Sequence, residues 1–104
     1  MTEAREVNES PLRQGADEQI TYQLTVTPWG SNPANVQVKA YDVTEGAYSD
    51  VSASVLSGSA AVSGDVITLP RLSGLAPGST YKVEVLFACG VNVFECWLTV
   101  LATR

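Results

Sequence analysis

Histidine is absent from this 104-residue chain. No Ser-His-Asp or Cys-His arrangement can form, the commonest zinc ligand is missing, and so is the usual proton shuttle near neutral pH. A lysine could still act as a base, but Lys39 and Lys82 fall on strand positions expected to face water, so nothing activates a nucleophile. The expectation is a non-enzymatic protein with no cofactor. Cysteine is almost as scarce, with Cys89 and Cys96 alone. Two thiols cannot complete a structural zinc site. Basic residues are few: six Lys and Arg against eleven Asp and Glu leave a net charge of −5. No basic face is available to neutralise phosphates, so nucleic acid is not an expected partner. No apolar run nears the roughly 20 residues that span a bilayer, so no membrane segment is expected. The start MTEAREVNES lacks the basic and apolar regions of a signal peptide, which points to synthesis in the cytoplasm without export by that route.

What remains is a globular composition. Apolar residues make up 45% and charged residues 16%, a balance that supports one core in one domain rather than a disordered chain. A domain of this size needs neither metal nor disulfide to fold. Residues 1–18 stand apart: seven charged side chains, and beyond Met1 only Val7 and Leu12 as large apolar ones. They are expected to be an N-terminal arm, either a flexible tail or a segment that orders on a neighbouring molecule through Val7 and Leu12.

From residue 19 to 104 a period of two dominates. Ile20, Tyr22, Leu24 and Val26 alternate with polar residues, until Pro28-Trp29-Gly30 and Asn32-Pro33 interrupt them. Val36, Val38 and Ala40 mark a second strand, Asp42 to Asp50 a polar loop, and Val51, Ala53 and Val55 a third strand. Gly64-Asp65 and Gly90-Val91 have glycine first in a two-residue turn, the type II′ pattern of a hairpin. The second turn sets a full register. Phe87 faces Phe94, Val85 faces Cys96, Val83 faces Leu98 and Tyr81 faces Val100, all on one apolar face. Lys82 with Thr99 and Glu84 with Trp97 fall on the other. In this register the cysteines lie about 13 Å apart along the strands, too far for a disulfide, and are expected as free thiols with Cys89 partly exposed. A register slip would be needed to join them. About seven strands, with no helical period, predict an all-β antiparallel sandwich.

The run Leu75-Ala76-Pro77-Gly78-Ser79-Thr80-Tyr81 before an alternating strand resembles the tyrosine-corner segment of fibronectin type III domains. The resemblance implies an immunoglobulin-like sandwich in which Leu75 plugs the core, Pro77-Gly78 forms the corner, and the Tyr81 hydroxyl bonds an upstream backbone group. The second strand lacks the tryptophan usual in that family. A second resemblance runs through the charged arm, the Pro-Trp-Gly strand end, the Val-x-Val-x-Ala-Tyr-Asp strand and SGSAAVSGDVITLPRLSGL. This order is similar to small structural proteins of tailed phages and prophages. It implies a multi-copy virion component that binds major capsid or connector subunits, with capsid decoration favoured over the head–tail junction, and it brings no catalytic residues. A binding or spacer module of a cell-surface or carbohydrate-active system, and a cytoplasmic assembly adaptor, are the alternatives.

Partner-binding candidates are Val7, Leu12, Trp29 and Trp97. Exposed tryptophans are enriched at interface hot spots, yet each could equally cover an end of its own core. Asp42, Glu45 and Asp50 crowd one loop, but their spacing lacks a calcium-loop pattern and fits a solvated acidic loop.

Overall fold

The computed structural model describes residues 4–6, 12–26 and 32–103. They form eleven mostly short strands, one helical turn and one 3-10 turn, an all-β architecture in two layers. The framework is the hairpin of β10 (Thr80–Cys89) and β11 (Asn92–Thr103). Its register is the one expected: Cys89 pairs with Asn92, Val85 with Cys96, Val83 with Leu98 and Tyr81 with Val100. Gly90 has φ 62°, a left-handed value that only glycine adopts freely and that the first turn position requires. Tyr81, Val83, Val85, Phe87, Cys96, Leu98 and Val100 are all buried. The Phe87 and Phe94 rings meet at 5.8 Å between centroids.

Strand β4 (Ala34–Asp42) lies antiparallel on the free side of β10, with Val38 opposite Val85 and Ala40 opposite Val83. The register shifts by one residue between Leu86 and Ala88. Asn35, at φ 53° within that bulge, takes the left-handed conformation that asparagine tolerates better than most residues. The short β5 (Ser49–Asp50) returns along β4 and ends this sheet. The opposite layer contains β3 (Gln23–Thr25), β8 (Val66–Thr68) and β7 (Ala61–Ser63) in the order β3-β8-β7, beside a small ladder of β6 (Leu56–Ser57) with β9 (Arg71–Leu72). Leu24, Val26, Ile67, Leu69 and Leu72 from this layer share one core with the large sheet.

Two expectations change. Part of the segment expected as a free arm is built into the large sheet. Strands β1 (Ala4–Glu6) and β2 (Leu12–Gly15) pair in parallel with successive parts of β11, Arg5 beside Cys96 and Leu12 beside Val100. Gln14 is fully buried at 0% exposure. Its amide donates to the Leu72 carbonyl at 2.7 Å and the Glu18 carbonyl at 3.0 Å, and accepts the Tyr22 hydroxyl at 2.9 Å. A charged sequence with few apolar residues reads as an arm because this anchor is a hydrogen-bonded polar side chain.

The second change concerns Val51, Ala53 and Val55. Residues Ser52–Val55 form a helical turn, α1, rather than a strand. The Asp50 carboxylate accepts the Ser52 amide at 2.9 Å, and the Val55 amide reaches the Val51 carbonyl at 3.1 Å. Val55 is buried, Val51 half-buried and Ala53 exposed. An i, i+4 pair shares a helical face, so alternation over five residues fits either structure.

The corner before β10 is closed by side chain and backbone together. The Ser79 amide bonds the Ala76 carbonyl at 3.1 Å around Pro77 and Gly78, with Gly78 at φ 84°, as a type II turn requires. The Ala76 amide donates to the Tyr81 hydroxyl at 2.9 Å, while Leu75 is buried beneath.

Tyr81→Phe keeps the ring and strands the Ala76 amide. A loss of about 1–2 kcal/mol in urea unfolding is expected, with no change of fold by circular dichroism. Gln14→Ala removes the bonds to the Glu18 and Leu72 carbonyls and to the Tyr22 hydroxyl and is expected to cost about 2–3 kcal/mol in the same experiment. A variant as stable as wild type would show that the N-terminal strand is not anchored by this side chain.

Candidate functional site

The register that buries the odd residues of β10 turns its even residues outward. Lys82 and Glu84 stand on that face, with Trp97 paired across from Glu84 on β11, and Tyr41 and Lys39 across on β4. The hairpin of β4 and β5 then folds Tyr48 back over this surface. Its ring lies 4.5 Å from Tyr41, centroid to centroid, and it remains 56% exposed. The Tyr48 hydroxyl donates to the Glu84 carboxylate, and the Lys82 ammonium donates to Tyr48 Oη at 3.4 Å. Lys82 Nζ lies 3.4 Å from Glu84 Oε2. The same ammonium sits 4.9 Å above the Trp97 ring and 5.4 Å from the Tyr48 ring centre. One cation is thus held by a carboxylate, a phenol and two aromatic faces. A shallow depression continues from it over Gln37, Lys39, Tyr41, Glu84, Leu86 and Glu95.

The titration directions follow from these contacts. Donation to Glu84, with burial behind it, raises the Tyr48 phenol above its ordinary value. Burial works to lower Lys82, but its bonds and charge attraction to Tyr48 and Glu84 more than offset that, and it is raised. At neutral pH Tyr48 is therefore a neutral phenol and Lys82 an ammonium. This arrangement gathers aromatic and charged groups on one partly desolvated surface.

The other candidate residues fall elsewhere. Val7 and Trp29 lie outside the described residues. Leu12 is half-buried and packs against the protein's own core beside Val100. Trp97 is half-buried on the outer face. Leu75, Pro77, Gly78 and Tyr81 gather at the corner, away from this surface. Cys89 is buried, against the expected partial exposure, because it still lies on the inward face of β10 at its last residue. Both thiols are free, and burial pushes Cys96 up to about 12. Tyr48 was not singled out by sequence. It sits 34 residues from Lys82 in a loop, and only the β4–β5 pairing brings it across.

Asp42 and Asp50 of the acidic loop accept hydrogen bonds from residues two positions on. The Asp42 carboxylate accepts the Thr44 amide at 3.0 Å and its hydroxyl at 2.6 Å, and Thr44 Oγ1 accepts the Thr80 amide at 3.0 Å. Asp50 accepts Ser52. Both carboxyls are lowered, Asp42 by its side-chain bond to Thr44 first and Asp50 by the Ser52 amide.

Comparison with protein-family models, with curated proteins and with solved structures finds no match to this chain.

The lowered carboxyls make stability depend on acid in one direction. Their contribution is fully present above the ordinary carboxylate value of about 4 and is lost as pH falls through the lowered folded values. Asp42→Asn is expected to flatten the fall in stability below that pH, measured by denaturation at stepped pH. An unchanged acid limb would show that the Thr44 bonds contribute nothing to it.

Proposed function

We propose that this chain is a non-enzymatic, immunoglobulin-like (fibronectin type III-like) domain that serves as a multi-copy virion structural protein, decorating a capsid rather than joining head to tail. The strand order supports the immunoglobulin-like reading. Strands β11, β10 and β4 form one layer against β3, β8 and β7, and a corner tyrosine bonds an upstream amide. The virion role draws on the likeness of Ser57–Leu75 and its flanking order to tailed-phage structural proteins.

The outer face of β4, β10 and β11 carries the binding role. Trp97, Tyr41 and Tyr48 supply large contact area at low entropic cost, and the Lys82–Glu84 pair gives orientation. Coat or connector subunits would dock there, and many weak contacts on a symmetric lattice would add through avidity. A sugar-binding module is less favoured by the same geometry, because Lys82 already covers one face of the Trp97 ring on which a sugar would stack.

The test is quantitative mass spectrometry of purified particles assembled with the wild-type chain or with Trp97→Ala. The wild-type chain is expected near one copy per coat subunit, and Trp97→Ala depleted about tenfold or more. A dozen or fewer wild-type copies would move the role to the head–tail junction. Absence from particles would overturn the virion role, and full occupancy by the variant would overturn this binding face.

A further inference from the structure

The outer face already binds one cation of its own. Lys82 Nζ lies 3.4 Å from Glu84 Oε2, 3.4 Å from Tyr48 Oη and 4.9 Å above the Trp97 ring. A carboxylate flanked by aromatic rings is the means by which this sheet holds positive charge.

The depression beside that cluster has the same kinds of part. Register places them. Gln37 of β4 lies opposite Leu86 of β10, and Leu86 opposite Glu95 of β11, while Lys39 lies opposite Glu84 two residues along. Leu86, on the central strand, supplies an apolar floor, and Tyr41 lines the same hollow. Glu95 is half-buried, and among the described residues no cation is paired with it. The Lys82 and Tyr48 contacts to Glu84 both fall on Oε2, so Oε1 takes no hydrogen bond among the described residues. The volume is about 140 Å³. That is under half the roughly 300 Å³ at which small-molecule pockets begin, and it suits one side chain.

We infer that this depression receives an arginine side chain from a partner. Charge selects the class, because a chain of net charge −5 draws basic surfaces toward it. Shape selects the residue. A guanidinium is a planar fork that engages Glu95 and Glu84 Oε1 together and stacks on Tyr41, and its methylene stem covers Leu86. An ammonium is a single point charge and makes fewer of these contacts. Lys39, on the β4 rim, opposes a cation but does not cancel the site, since its charge acts on Asp50 as well. The inference rests on the outer face being the docking face proposed above, and it names the group which that face takes.

Nuclear magnetic resonance titration of the isotope-labelled full chain with N-acetyl-arginine amide tests it. The Leu86 and Glu95 amide shifts are expected to saturate, with a dissociation constant on the order of 10 mM. N-acetyl-lysine amide should bind about fivefold more weakly. Glu95→Gln should weaken arginine binding by about fivefold, and Lys39→Ala should tighten it by about twofold. Asp17→Asn removes one negative charge from an exposed turn past the Thr103 end of β11, and should leave binding unchanged. The amide spectra of the variants report that each is folded. No saturable shift up to about 100 mM overturns the inference. So do equal affinities for the two amides, indifference to Glu95→Gln, or equal weakening by Asp17→Asn. A chain absent from particles that still binds arginine amide keeps this site and loses the virion role. A chain found in particles that ignores arginine amide loses this site alone.

Discussion

The register of the β10–β11 hairpin is the constraint on which the rest depends. Side chains alternate with a period of two, so a slip of one residue would exchange the two faces of the longest strands. Lys82, Glu84 and Trp97 would then enter the core, and Val83, Val85 and Leu98 would face water. Gly90 at the turn and the Phe87–Phe94 contact hold one pairing, and that pairing decides which residues are core and which are surface. Strand β4 adds to a template already fixed, and the outer face follows.

The remaining contacts join this hairpin to the other layer. Tyr81 points inward from β10, yet its hydroxyl reaches back to the Ala76 amide and fixes the chain that crosses between layers. Gln14 does the corresponding work from β2, bonding Leu72 and Tyr22 of the opposite layer. Both are polar groups whose hydrogen bonds are made within the protein, so they give direction where apolar packing alone would tolerate many angles. Fold and surface meet at Thr44, which binds Asp42 and Thr80 and so sets the loop from which Tyr48 returns.

The sequence made some of this legible and hid the rest for physical reasons. The hairpin could be read because glycine position, alternation and aromatic pairing all agreed on one register. The corner could be read because Pro-Gly and a nearby tyrosine leave few alternatives. The N-terminal strands could not. Their pairing is parallel and far in sequence, and the anchor is one glutamine with no distinctive neighbours. Val51 and Val55 misled because five residues do not separate a period of two from one helical turn. Half of the outer surface was legible, since Glu84 and Trp97 followed from the register. Tyr48 was not, because its place depends on a short return strand and a loop conformation that no local pattern announces.

The division of the molecule into two faces can be tested directly by nuclear Overhauser contacts from the Trp97 indole in the full chain. Contacts to the Lys82 side chain are expected, with none to the methyl groups of Ile67, and the Phe87 and Phe94 rings should contact each other. Contacts between the Trp97 indole and Ile67 would put the tryptophan in the core and contradict the register, the outer face and the function built on it.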